Sequence, residues 1–182
     1  MANIKVVKVD PTTGRKVVVA LKDVSPYWLY DTKTISDTEN IQSFFTNVKK
    51  NDDVATNMLN DSVLPYGWKF NIGAIRVVPD FSADPALVAN LIYNSIVEFN
   101  KEGSEIFKAP AFVFNAGAGV PSKATNGDYT NQAVLLLPLQ MQLEGNTPFE
   151  FRLKSKAQLG QGNSVTVKMV LDGIVYKNIV TA

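Results

Sequence analysis

A chain of 182 residues with no histidine and no cysteine lacks an imidazole general base, a thiolate nucleophile, disulfides and the ligands of most zinc and iron–sulfur sites. Its net charge of +1, with arginine only at Arg15, Arg76 and Arg152, excludes the basic excess of a dedicated nucleic-acid surface and disfavours base-specific DNA reading. Hydrophobic residues make up 46% and charged residues 19%, enough for one full core and a surface built largely of amides and hydroxyls, which neighbours cover at lower desolvation cost than charges.

In chain order, residues 4–9 and 16–21 are Val-rich runs joined by Asp10-Pro-Thr-Thr-Gly14. Proline presets one turn dihedral and glycine supplies a left-handed one, so a β-hairpin is expected. The start alternates charge with apolar residues and has no continuous apolar stretch, so no secretory signal is expected. Residues 22–40 are a largely polar stretch interrupted by Tyr27, Trp28, Leu29 and Tyr30; they read as a loop with an aromatic anchor or as an arm lying on a neighbour. Residues 41–48, with Phe44 and Phe45, form a candidate strand, and 49–53 an exposed charged loop.

Residues 68–78 alternate as a strand, with a phase shift at Gly73-Ala74 that predicts a bulge. One helix is expected at about 84–94: Asp84 caps it, Pro85 stands at its first position, and Leu87, Val88, Leu91 and Ile92 form an apolar stripe. A strand at 96–99, a turn at 101–103, a short strand at 111–114 and a long loop at 115–131 follow. Residues 134–143 form a strand whose Pro138 requires an edge position or a bulge. Strands at 149–154 and 165–171 precede Asp172-Gly173, which reads as a type I′ hairpin turn into a last strand at 174–180. The longest apolar run, 133–139, is too short to cross a membrane as a helix. The sum is an all-β chain: an antiparallel β-sandwich of the jelly-roll type with one short helix. Residues 1–35 are expected to form a hairpin and aromatic arm, and 36–182 a single sandwich domain.

Few constellations carry chemistry. Gly117, Gly119 and Lys123 invite a phosphate-loop reading, but Ser122-Lys123-Ala124 lacks the required Gly-Lys-Ser/Thr ending and no helical pattern follows. Glu98, Glu102 and Glu105 are the carboxylates available to a glycoside hydrolase, and Asp52, Asp53 and Asp61 to a calcium site; turn-like neighbours make solvated charge the simpler reading, and no EF-hand spacing is present. No catalytic residue, cofactor or metal ligand is assigned. Tyr27, Trp28 and Tyr30, outside any alternation, read either as interface anchors or as a satellite cluster under a loop.

The series Leu64-Pro-Tyr-Gly-Trp-Lys-Phe-Asn-Ile-Gly-Ala-Ile-Arg-Val77, the helix opened by Asp84-Pro85, the strand at 96–99, Ala109-Pro-Ala-Phe112, Gly117-Ala-Gly119, Leu137-Pro-Leu139 and Phe149-Glu-Phe151 resembles the small single jelly-roll major capsid proteins of tailless icosahedral phages. The likeness spans roughly 44–180 and rests on element order and a few Pro and Gly positions. It implies a virion structural protein without enzymatic activity, made in the host cytoplasm, whose partners are copies of itself and other virion proteins. Tyr27, Trp28, Tyr30, Gly117, Gly119 and Lys123 are then the candidate assembly contacts. A carbohydrate-binding or receptor-binding sandwich is the alternative, and a carboxylate-dependent glycoside hydrolase a third reading.

Overall fold

The computed structural model describes residues 5–9, 16–20, 23–37, 41–46, 52–80, 82–114 and 136–177. Among these residues ten strands run in chain order: β1 (Lys5–Val9), β2 (Lys16–Ala20), β3 (Val24–Ser36), β4 (Ile41–Phe44), β5 (Lys69–Pro79), β6 (Ser95–Lys101), β7 (Ser104–Pro110), β8 (Leu136–Glu144), β9 (Phe149–Ser155) and β10 (Ser164–Tyr176). One helix, α1 (Pro85–Tyr93), lies between β5 and β6.

β1 and β2 pair as the antiparallel hairpin expected there. The other eight strands form two four-stranded antiparallel sheets, ordered β3-β10-β5-β8 and β4-β9-β6-β7. Successive strands cross from one sheet to the other except at the β6–β7 hairpin. That winding is the double Greek key of a jelly roll.

Strict alternation puts one face of each strand inside. β9 reads in–out along its whole length, with Phe149, Phe151 and Leu153 buried and Glu150, Arg152 and Lys154 outward. Its sheet supplies an aromatic layer in which Phe99 and Phe151 stack at 4.5 Å between centroids, flanked by Phe45 and Phe107. The opposing sheet contributes aliphatics: Ile75 and Val77 of β5, and Val165, Val167, Met169 and Leu171 of β10. Dense interdigitation of rings with branched chains makes a deletion here expensive.

The Asp84 carboxylate accepts the Ala86 N–H at 2.7 Å, and Pro85 opens α1 as expected. Nine residues are too few for a helix stable by itself. Burial of Val88, Leu91 and Ile92 holds it against the core.

Three expectations are corrected, and one strand that the sequence left unassigned is added. Within the segment read as a loop or an arm, residues 24–36 are a strand of the sandwich: β3 pairs with β10 from Val24↔Tyr176 to Ser36↔Ser164, so the boundary drawn at residue 35 falls inside it. Leu29, Asp31 and Ile35 point inward; the alternation is hidden because the outward positions are also aromatic. Residues 104–110 are a strand, β7, disguised by a register shift near Ile106. Ala111–Phe114 is a 3-10 turn rather than a strand. Asp172-Gly173 makes no hairpin. β10 runs straight through it, and the pair faces a bulge where Gly73 is the extra residue of β5. Pro138 lies in β8, the edge strand of its sheet, where the ladder shifts between Met141 and Leu136. The turn at 10–14 and the loop at 115–131 lie outside the described residues.

Candidate functional site

β3 places the three expected aromatic anchors in three different settings. Tyr27 faces inward and is half-buried, edge-on to Trp68 at 6.0 Å and to Phe70 at 6.1 Å. The Lys177 ammonium stands over both Tyr27 and Trp68, 4.6 Å from the Trp68 centroid. Burial, and secondarily the neighbouring Tyr30, raises the Tyr27 phenol above its usual range. Tyr27 thus belongs to a satellite cluster rather than to an open surface. Tyr30 faces outward, donates its hydroxyl to the Asp53 carbonyl and lies under the Lys168 ammonium at 4.9 Å. Trp28 is 57% exposed. Its register partner is Asp172, with Pro26 and the exposed Ile174 one outward step along. Gly117, Gly119 and Lys123 lie outside the described residues.

The segment 52–58 runs along β3 and occupies its free edge. Asn57 does this with its side chain: Oδ1 accepts the Tyr30 N–H at 2.9 Å, and Nδ2 donates to the Trp28 carbonyl at 2.6 Å. The Thr56 hydroxyl and the Asn57 N–H both donate to the Tyr30 carbonyl. Thr32 Oγ1 and Lys168 Nζ donate back to the Ala55 and Val54 carbonyls. The other edges are guarded differently. β7 carries a register shift, Lys108 and Pro110; β8 carries Pro138; β4 is four residues long. Such devices block strand addition, so partners must be met by side chains.

The outward face of the second sheet is the richer surface. Cross-strand pairing sets Ser43, Arg152, Glu98 and Lys108 in one row, and Ile41, Lys154, Ile96 and Pro110 in the next. The Lys154 ammonium meets Glu98 at 2.7 Å and the Arg152 guanidinium meets Glu150 at 2.7 Å. At Glu150 desolvation pushes the pKa up, but hydrogen bonds from Arg152 and Ser43 and the charge of Arg152 prevail and hold it below its usual value. Asp31, buried between the sheets, accepts the Phe45 N–H at 2.7 Å. That bond fixes Phe45, whose φ is +67°, at the exit of β4.

Beyond the Ile41–Pro110 row the sheet opens into a cleft of about 980 Å³ lined by Ile41, Ile96, Lys154, Lys156, Asn94 and the 155–160 turn. Ile41 and Ile96 are exposed there. Asp37, also in the wall, is tied by the N–H groups of Leu159 and Gly160 at 2.9 and 3.0 Å. Tyr93, the residue before Asn94, sets its exposed ring 5.9 Å from that of the exposed Phe112. The sequence marked none of these. The only available signal was Ile41 and Ile96 standing at outward positions of their strands, visible once the register is known.

The carboxylates weighed for catalysis do not converge on this cleft. Glu98 is buried against Lys154, Glu105 pairs with Lys108 at 3.6 Å, and Glu102 occupies a left-handed turn position. Among the described residues no three acidic side chains stand together as a metal site, and no described helix is long and apolar enough to cross a membrane. Comparison with protein-family models and with curated proteins gives no match.

Proposed function

We propose that the chain is a structural subunit that assembles with copies of itself, and that its setting is the shell of a tailless icosahedral phage. The observation that carries the reading is the strand order β3-β10-β5-β8 over β4-β9-β6-β7, a winding used by viral capsid and lectin domains alike. Fold alone does not assign function; what tips the balance is how the surface is arranged. Strand edges are closed to addition, while apolar side chains are offered outward at Trp28, Ile41, Tyr93 and Phe112. A rigid body with such surfaces gains avidity from symmetry, because each subunit is held by several neighbours at once. The work is adhesion, and no step of it requires turnover.

Electron microscopy of the purified chain at rising concentration tests this. Rings, sheets or shells are expected. Single particles at every concentration, with binding to immobilised glycans that Trp28→Ala abolishes, would replace the reading with a carbohydrate-binding module, for which the exposed Trp28 ring is the motive.

A further inference from the structure

We infer that the β1–β2 hairpin is completed by the hairpin of a second copy of the chain, β2 pairing antiparallel with its counterpart about a twofold axis at Val18. This rests on the self-assembly reading and specifies one of its contacts. Among the described residues β1 and β2 form a sheet of their own, hydrogen-bonded to neither four-stranded sheet. A ribbon of two strands, each five residues long, is marginally stable in water, and a third strand is what makes such a sheet hold.

Which strand can join is decided by the edges. The sandwich of another copy offers none: β3 is occupied by the 52–58 segment, β7 carries a register shift and Pro110, β8 carries Pro138, and β4 is four residues long. The hairpin's own edges remain. β1 has Lys5 and Lys8 within five residues, charge that discourages addition. β2 reads Lys16-Val-Val-Val-Ala20, with its one charge at the first position, no proline, and β-branched residues that favour a pleated sheet. The strand equally open to receive it is β2 of another copy. Antiparallel pairing that uses all five residues of β2 sets Lys16 opposite Ala20, Val17 opposite Val19, and Val18 opposite Val18. Lysine never meets lysine in that register, and valine opposes valine at its centre, so the strand is complementary to itself. One twofold operation then gives a four-stranded sheet, β1-β2-β2-β1, and a closed contact that leaves the side-chain surfaces of both sandwiches available for other neighbours.

The test uses the full chain, which has no cysteine of its own. Opposed Cα atoms of antiparallel neighbours lie about 4.5–5.5 Å apart, within the span a disulfide bridges. Val18→Cys is therefore expected to give a covalent dimer on mild oxidation, well above the yield from Tyr66→Cys, a position 85% exposed and far from β2 in sequence. Sedimentation of Val18→Lys and of Val18→Glu is expected to show association weakened about tenfold in each, because like charges then face one another across the axis, and largely restored when the two variants are mixed. The hairpin is hydrogen-bonded to neither four-stranded sheet, so the sandwich is retained; an unchanged urea midpoint verifies it. Association as strong in both charged variants as in the parent, no recovery on mixing, or Val18→Cys linking no better than Tyr66→Cys overturns this contact while leaving self-assembly standing. A parent chain that stays monomeric throughout overturns both.

Discussion

The sharpest consequence of the winding concerns Gly173. A β-carbon added there would stand 2.0 Å from the Asn71 carbonyl oxygen and 2.9 Å from both the Asn71 carbonyl carbon and Phe70 Cε2. Ordinary contact is well over an ångström longer, and the obstacle is backbone on the adjoining strand. β10 cannot retreat, because β3 is bonded to its other side along all 13 residues. Overpacking a core with flexible side chains costs about 1–3 kcal/mol; here the rigid strands put Gly173→Ala at about 3 kcal/mol or more. Two other glycines calibrate the number. Gly103, at φ +78° with nothing within 4 Å, should cost about 1 kcal/mol on replacement by alanine, from backbone conformation alone. Gly73 has its nearest neighbour at 3.7 Å and no left-handed φ, so alanine there should be neutral or stabilising by up to about 1 kcal/mol. Urea denaturation of the three variants reads the series, with Gly173→Ala shifting the midpoint down by roughly 1 M or more for m-values of about 2–3 kcal/mol/M. A Gly173→Ala midpoint equal to or above that of Gly103→Ala would refute the close approach of β10 to β5, and with it the bulge.

Further outcomes are expected. Asn57→Ala removes two bonds from the β3 edge; a loss of about 1–2 kcal/mol should come with faster amide hydrogen exchange at Tyr30, and unchanged exchange would show the edge closed by other means. Deleting residues 1–22 leaves both four-stranded sheets with all their strands, so cooperative unfolding should survive, whereas deleting 1–36 removes β3 and should abolish it. The folded-state pKa of Glu150 is lowered, so its contribution to stability is present above the ordinary glutamate value near 4.5 and is lost as pH falls through the lower folded value. Melting temperature should fall with acidification below about pH 4.5, and Glu150→Gln should lessen that dependence; an identical acid slope in the variant would remove the carboxylate from the account.

How much of this the sequence disclosed depended on whether local chemistry and tertiary setting agreed. Asp84-Pro85 and the stripe Val88-Leu91-Ile92 marked α1, because a cap and a period need no partner to be recognised. Gly73 marked the bulge for the same reason. β3 escaped because aromatic rings stand at its outward positions Trp28 and Tyr30 while its inward face carries Asp31 between Leu29 and Ile35, so the polar–apolar alternation that signals a strand is broken on both faces. Asp172-Gly173 satisfies a hairpin turn and a bulge partner equally well, and only the strand on the far side decides between them. The cleft was invisible for a stronger reason. Ile41, Ile96 and Lys154 come together through cross-strand register alone, and no single segment encodes it.

Sedimentation velocity of the full chain across a hundredfold range of concentration is the most direct measure of whether this body exists to bind its own kind. The expected result is a monomer boundary giving way to discrete larger species as concentration rises. One boundary near 19.9 kDa at every concentration would contradict it.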